Sequence, residues 1–320
     1  MILTVTVNAA LDRTLTVPNF ASGHRHRATQ AIALPGGKGV NIARSLKRLG
    51  IPVITTGFAG GRTGTLIVEQ LTEEGILNDF VRVREESRVS TAVVDPMVGS
   101  QTEVNEVGPS IGDDEVDLLF SKLKYLSKGA DCLVLAGSLP PGTPPDLYAT
   151  ILREFRATGL ETAVDAYGGT LRASLHGEPG IASPNRREAE ELVGYEFQDD
   201  SDIAGAAERI AQMGAEVVLI HDADGAVARV PDGRGARTLR ASLPRMPEVA
   251  ATVGSGDAFL GGFISAWLPD RDAEAALRTA VASGAANALQ LGAGVFSVED
   301  VDSFARRVII EEVDVAQGDE

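Results

Sequence analysis

Short apolar runs alternate along this chain with stretches whose apolar residues recur at helical spacing. Cys132-Leu133-Val134-Leu135 and Val217-Val218-Leu219-Ile220 contain no polar residue at all. A strand of that kind has to be buried on both faces, as in a parallel sheet covered by helices. Further strand candidates are 2–7, 52–58, 131–136, 161–165, 180–183 and 216–221. Helix candidates are 38–49, 62–74, 113–127, 145–157, 186–193, 201–213, 255–267 and 271–290. In the first of these helices Ile42, Leu46 and Leu49 share one face at i, i+4 and i+7. The alternation predicts an α/β fold, doubly wound, with a mostly parallel sheet flanked by helices.

Two segments break the alternation. Residues 13–34 and 79–107 read as strands with no helix between them. Thr102-Glu103-Val104-Asn105-Glu106-Val107 has a period of two, and Val89 to Val94 a rougher one. They predict a small β-sheet set apart from a main domain of 1–12, 35–78 and 108–310. That sheet reads either as a lid or as a surface decoration. With one exposed apolar face it would also serve as a homodimer interface. The acidic tail from Glu311 onward is expected to fray.

Composition narrows the partners. The 320 residues are 44% hydrophobic and carry a net charge of −16. So acidic a surface disfavours nucleic acid and anionic membranes, and any phosphate site must be built locally. The single cysteine, Cys132, lies in an apolar run, where a packing role is expected. Met1 to Val7 has no basic n-region, and no apolar stretch is long enough to span a membrane. A cytoplasmic protein is the expectation. The four histidines show no zinc spacing.

Several motifs punctuate the strand ends, each with a functional and a plainer reading. Gly254-Ser255-Gly256-Asp257 opens an apolar helix. Its glycines let backbone N–H groups converge on one spot, and a helix dipole adds to them. Asp257 is placed to take a proton from an incoming hydroxyl. Together these are the parts that phosphoryl transfer to an alcohol requires; the plainer reading is an ordinary helix start. Pro35-Gly36-Gly37-Lys38-Gly39-Val40-Asn41 opens the first long helix without Walker spacing, as a ligand loop or a structural turn. Asn8-Ala9-Ala10-Leu11-Asp12 ends the first strand, where ligands of parallel sheets gather; Asp12 either binds hydroxyls or forms a turn. Gly137-Ser138-Leu139-Pro140-Pro141-Gly142 ends another strand. Pro184-Asn185-Arg186-Arg187-Glu188 follows a third, with Asn185 and Glu188 suited to phosphate and hydrated Mg²⁺ or to a helix cap.

In this order, these pieces resemble the ribokinase-like (PfkB-type) sugar kinases, most of all their 1-phosphofructokinase and tagatose-6-phosphate kinase branch. Thr102-Glu103-Val104-Asn105-x-x-Gly108-Pro109 belongs to the same pattern. The resemblance implies an α/β domain with a β lid, often a homodimer, transferring the γ-phosphate of ATP to a sugar hydroxyl. It implies Asp257 as base, with Gly254, Ser255 and Gly256 as an anion hole. Asp12, Gly36, Gly37 and Asn41 would bind sugar hydroxyls, with Ser90, Glu103, Asn105 and Ser138 also facing the substrate. Arg88, Arg25 and Lys38 would meet a substrate phosphate. Asn185, Asp222, Gly225, Val281, Ala285 and Asn287 would lie along the nucleotide. Glu188 would hold Mg²⁺ through water, and the loop at Ala251 and Val253 a monovalent cation such as K⁺.

The chain departs from the pattern at three places. Ala9 stands for Pro. Arg88-Val89-Ser90-Thr91-Ala92 stands for Arg-x-Asn-x-Lys, so a cation is missing at Ala92. Ile220-His221-Asp222-Ala223-Asp224-Gly225 stands for Ser-Leu-Gly-x-x-Gly, which sets an acid beside the expected phosphates. The leading expectation is an ATP-dependent kinase of a phosphorylated ketohexose. A kinase of an unphosphorylated sugar or nucleoside is the alternative, and a sugar-phosphate-binding regulator without turnover a further one. A dehydrogenase has no glycine fingerprint to support it.

Overall fold

Why the apolar runs become buried strands is clearest at β1 (Ile2–Thr6) and β9 (Cys132–Ala136), in which every residue is buried. The computed structural model describes residues 1–233, 235–244 and 249–313. In β9, Cys132, Val134 and Ala136 join one core cluster, while Leu133 and Leu135 join another. The period of two thus delivers side chains to two helical layers at once.

In chain order the other elements are β2 (Ala10–Thr16), β3 (Gln30–Gly36), α1 (Lys38–Arg48), β4 (Val53–Gly60), α2 (Gly61–Glu73), β5 (Leu77–Asn78), β6 (Val81–Val83), β7 (Arg88–Asp95) and β8 (Ser100–Asn105). After β8 come α3 (Asp113–Leu126), then β9, α4 (Leu147–Arg156), β10 (Glu161–Asp165), α5 (Gly168–Leu175), β11 (Ile181–Ala182), α6 (Arg186–Val193) and α7 (Asp200–Gln212). The chain closes with β12 (Val217–Asp222), β13 (Gly225–Pro231), β14 (Ala236–Ser242), α8 (Ser255–Asp270), α9 (Ala273–Ala288), α10 (Val298–Ala305) and β15 (Ile309–Glu312).

The main sheet runs β15-β14-β13-β12-β11-β10-β9-β1-β4-β5, with β6 also on β4. From β12 to β5 all pairings are parallel, and β13 to β15 add an antiparallel edge. Ile42 and Leu46 of α1, Phe263 of α8 and Leu277 of α9 cover one face. Leu119 of α3, Ile151 of α4, Leu171 of α5 and Ile203 of α7 cover the other. Each such side chain contributes about 1.5–3 kcal/mol on burial. The expected doubly wound α/β architecture is present. Among the described residues no helix is long and apolar enough to cross a membrane.

The small sheet has the order β3-β2-β7-β8. Its register sets Asp12 opposite Ser90, and Ser90 opposite Asn105; one step along, Thr14, Ala92 and Glu103 are aligned. These residues share one face. The bounds differ from the expected 13–34 and 79–107. The sheet begins at Ala10 and extends to Gly36, whereas Val81–Val83 pairs with β4. Val81 and Val83 are buried in the main core, which draws that stretch out of the small sheet.

Other boundaries differ for local reasons. The expected helix 271–290 starts at Ala273, because the Asp272 carboxylate caps the N–H groups of Glu274 and Ala275. Glu311 and Glu312, expected to fray, pair with β14; residues 314–320 lie outside the described residues. Strands β13 and β14 lie outside the expected strand candidates, because Arg229, Arg237 and Arg240 interrupt their apolar pattern. Cys132 is buried and free, and burial pushes its thiol pKa up.

Candidate active site

The carboxyl ends of β1, β10 and β12 and the amino ends of α1, α6 and α8 open on one cleft of about 680 Å³, whose remaining wall is the inner face of the small sheet. A larger depression of about 940 Å³ lies at the other end of the strands, by Met1, Pro52, Asp131 and Arg271. Parallel sheets take ligands at their carboxyl ends, and the sequence motifs all converge there, so the smaller cleft is the candidate site.

Its floor is the start of α8. Gly254 has φ 78°, and a Cβ on it would fall 2.3 Å from the Ala293 Cβ. Only glycine fits there. No side chain caps the helix. Ser255 N–H turns inward to the Thr252 carbonyl at 3.1 Å, which removes it from the expected anion hole. Among the described residues no protein acceptor takes the backbone N–H of Gly256 or Asp257. Those groups and the helix dipole leave room for an anion.

Asp257 sits in the first turn of α8 and is 6% exposed. Its carboxylate accepts a 2.9 Å hydrogen bond from Asn41 Nδ2. Burial raises its pKa to about 7; nearby Asp165 adds to the rise, while Lys38 and the Asn41 bond oppose it. That value suits a general base at neutral pH.

Lys38 begins α1. Its ammonium donates to Asp165 Oδ1 and, at 3.4 Å, to Glu188 Oε1. Burial disfavours its charge, but Asp165, Glu188 and Asp257 outweigh burial and raise its pKa. The lysine is therefore held toward the acid cluster rather than toward Arg88. Glu188 and Asn185 form a reciprocal cap at the start of α6, with bonds of 2.8 and 2.9 Å. Burial raises the Glu188 pKa and Lys38 opposes the rise.

Across the cleft, Asp12 accepts from Gly37 N–H at 3.4 Å. Burial raises its pKa against the pull of that bond and of Arg88. Gly36 lies directly behind it, where a Cβ would fall 1.9 Å from Asp12 Oδ2. Arg88 Nε donates to the Asn8 carbonyl at 3.1 Å, and burial lowers its pKa. Asn8 in turn donates to Val107 O at 2.9 Å and Ser138 Oγ at 3.2 Å. Ser90, Glu103 and Asn105 complete this wall.

Not every expected residue arrives. Arg25 is exposed on the loop between β2 and β3 and does not line the cleft. Val281 packs in the main core, and Ala285 with Phe296 and Phe304. Asn287 is fully buried: its amide holds Val253 O at 2.8 Å and accepts from Gly294 N–H at 2.8 Å. It braces the loop before α8. Gly225 packs against β14, where a Cβ would meet Ala241 O at 2.0 Å. Asp222 has a cationic neighbour, Arg186 Nη1, at 3.5 Å. Asp165 and Tyr167, which line the cleft after β10, were missed. Their signal was position alone, at the carboxyl end of a buried strand.

Fold and cleft together define an α/β protein with open backbone N–H groups at a helix start beside a buried carboxyl group. Residues 3–300 match the pfkB family carbohydrate kinases, and the chain belongs to that family. It is thus a sugar kinase, transferring phosphate to a hydroxyl. Among solved structures it is similar to the phosphofructokinase-2 of Escherichia coli in complex with substrates and products, at 27% identity and TM-score 0.87 over 95% of this chain and 98% of that one. It is similar to the same enzyme in complex with potassium, at 26% identity and TM-score 0.85 over the same shares. The possible 1-phosphofructokinase of Thermotoga maritima is 25% identical, with TM-score 0.85 over 98% of this chain and 100% of that one.

Proposed function

We propose that this chain phosphorylates a free hydroxyl of a phosphorylated ketohexose, such as fructose 1-phosphate, fructose 6-phosphate or tagatose 6-phosphate, with ATP as donor. The observation that carries the reading is the buried Asp257 beside the open N–H groups of α8, with Arg88 and Asp12 across the same cleft. The acceptor hydroxyl gives its proton to the Asp257 carboxylate. Its oxygen attacks the γ-phosphorus, the bond from that phosphorus to the β–γ bridging oxygen breaks, and ADP leaves with the electron pair. The N–H groups of Gly256 and Asp257 stabilise charge on the transferring group. Asp12 and Asn41 hold sugar hydroxyls, and Arg88 takes the acceptor's own phosphate.

Mg²⁺ fits the donor set. Among the described residues no three metal-type side chains form a cage, and Mg²⁺ in kinases takes one or two carboxylates, waters and the substrate's phosphates. Asp165 and Glu188 share only the one ammonium of Lys38, which leaves negative charge for a cation. When bound, Mg²⁺ supplies charge neutralisation on the phosphates. The potassium complex of the E. coli relative supports a monovalent cation at the Ala251–Val253 loop here.

The outer face of the small sheet carries half-exposed Leu11, Leu15, Val89 and Val93 and the 65% exposed Val104. A second copy of the chain is the partner proposed for it, in a cytoplasmic homodimer.

One observation favours a second reading. Ala92 lies on the inner face between Thr14 and Glu103 and supplies no cation, which suits an unphosphorylated sugar or nucleoside. A coupled ADP-release assay with ATP·Mg²⁺ decides. It runs fructose 1-phosphate, fructose 6-phosphate, tagatose 6-phosphate, fructose and ribose beside Asp257→Asn. Turnover on one phosphosugar, lost in the variant, is expected. Turnover confined to unphosphorylated acceptors selects the second reading, and silence on all with a folded protein leaves a binding protein.

A further inference from the structure

We propose that His221 is part of the anion hole, its Nε2–H directed at the transferring phosphate beside the backbone N–H groups of Gly256 and Asp257. The inference rests on the kinase reading of the cleft.

The placement follows from β12. Val217 to Ile220 are buried, and His221 is the one residue of the strand that lines the cleft, with half-buried Asp222 next in sequence. His221 N–H donates to the Pro184 carbonyl at 3.3 Å, and the backbone pairs there with Asn185. The Cα position is therefore fixed between α6 and α8. One side of the imidazole packs on Phe259, with ring centroids 4.8 Å apart and planes tilted by 34°. Its edge faces Gly256: a Cβ there would fall 2.9 Å from Cε1 and 3.4 Å from Nε2. The second glycine of Gly254-Ser255-Gly256 thus makes room for this ring, as the first makes room for Ala293.

Packing against Phe259 and Gly256 accounts for the carbon atoms but not for the nitrogens. Among the described residues neither ring nitrogen has a hydrogen-bond partner in the protein. The ring is half-buried and its nitrogens are not among the buried unpartnered atoms, so they stay open to the cleft, where a bound group can meet them. The charged groups around it are Asp165, Lys38 and Asp222. Asp222 is taken by Arg186 and Asp165 by Lys38. Burial pushes the His221 pKa down to about 4, with Lys38 assisting and the two aspartates opposing. The ring is neutral at working pH. A neutral ring offers one N–H donor and one lone pair and is not captured by the nearby carboxylates as a cation would be.

A leucine of similar size keeps the packing and removes the donor, and a glutamine restores an amide N–H. We would measure kcat, the KM for ATP and thermal stability for wild type, His221→Leu and His221→Gln. Beside them we would measure the affinity of ADP with aluminium fluoride, a planar stand-in for the transferring group, by calorimetry in the presence of the acceptor. Loss of one anion-hole donor lowers turnover on the order of 10²-fold. The expected result is a kcat loss of that order in His221→Leu, weaker binding of the fluoride complex by a similar factor, little change for ADP alone, and partial recovery in His221→Gln. An unchanged kcat and fluoride affinity in His221→Leu, beside an active wild type, overturns the inference and leaves the kinase reading intact. A uniform loss with lowered thermal stability and no recovery by glutamine assigns the ring to packing only and also overturns it. A wild type inactive on every acceptor overturns the kinase reading beneath it.

Discussion

Asn41 and Asp257 lie 216 positions apart in the chain and meet through a 2.9 Å hydrogen bond, amide to carboxylate. Each stands in the first turn of its helix, α1 or α8, so two helix starts converge on one carboxyl group. Asp165 and Asp12 both disfavour ionisation of Asp257, whereas Lys38 and Asn41 favour it. Burial raises the carboxyl most, and neighbours drawn from three separate segments, β2, α1 and β10, balance it near neutrality.

That balance fixes a pH profile. In the proposed role of base, Asp257 must be ionised to accept the hydroxyl proton, and its pKa is raised to about 7. Activity is expected to rise through about pH 7 and to fall below it with unit slope. Asp257→Asn should cut kcat by about 10²–10⁴-fold, the usual scale for a general base, and erase that limb. A variant with near-wild-type turnover, or a profile flat from pH 5 to 8, would remove Asp257 from the chemistry.

The same residue links pH to stability. Its pKa in the folded chain lies above the ordinary 3.8, so the folded state holds the proton better than the unfolded chain. Ionising Asp257 thus weakens the fold as pH rises from about 4 to 7, and the loss is complete above that. Three units correspond to a ceiling of about 4 kcal/mol. Asp257→Asn should therefore melt higher than wild type at pH 8, with the gap closing toward pH 4. Thermal unfolding across that range reads the sign directly; an asparagine variant less stable at pH 8 would contradict it.

Much of this arrangement is legible in the sequence because strand ends are punctuated. Asp12, Gly37, Asn41, Asn185, Glu188 and Asp257 stand in short runs of glycine, asparagine and acid directly after apolar strands or before helices. Those residue types are chosen by turn and cap geometry as well as by ligands, so they mark position. Asp165 and Tyr167 carry no such punctuation: Glu161-Thr162-Ala163-Val164-Asp165 reads as an ordinary strand. The partner of Lys38 was equally hidden. Whether an ammonium turns to a substrate phosphate or to Asp165 and Glu188 depends on side chains 127 and 150 positions away. The role of Asn287 was hidden for the same reason, since only the fold brings Val253 and Gly294 to its amide.

Removing the amide should retune the base. The Asn41 hydrogen bond stabilises the carboxylate form of Asp257, so Asn41→Ala should raise its pKa and move the acidic limb of the kcat profile to higher pH. The expected displacement is about one to two units, the scale of one hydrogen bond to a charged group. An unmoved limb with a lower plateau would mean that Asn41 acts only on the sugar.

Asp222 tests the proposed nucleotide position, which would set this acid beside the phosphates. Arg186 Nη1 stands 3.5 Å from its carboxylate, and the backbone N–H of Asp224 donates to it at 2.8 Å. Arg186→Ala removes the compensating charge and leaves an acid facing the phosphates. The KM for ATP should rise several-fold, more at low salt than at high salt, because the repulsion is screened. The double variant Arg186→Ala with Asp222→Asn should recover most of the loss. If it recovers nothing, the arginine serves α6 through Glu190 and Phe197 instead.

Arg88 decides between the two acceptor classes. Its guanidinium is held at the cleft by the Asn8 carbonyl at 3.1 Å and lies in the field of Asp12. Lys38 is the other cationic side chain on the inner wall, while Arg13 borders the cleft from the outer face it shares with Leu11 and Leu15. Arg13 is exposed and Lys38 is bound to Asp165 and Glu188, so Arg88 is the group best placed for an acceptor phosphate. Arg88→Ala should raise the KM for a phosphorylated acceptor by about 10–100-fold, the worth of a charge-assisted bond, with a smaller change in kcat. Arg88→Lys should recover only part, because an ammonium cannot grip a phosphate in two places. Steady-state kinetics on matched phosphorylated and free sugars make the comparison. Equal losses on both would assign Arg88 to the Asn8 loop and shift the acceptor toward an unphosphorylated sugar.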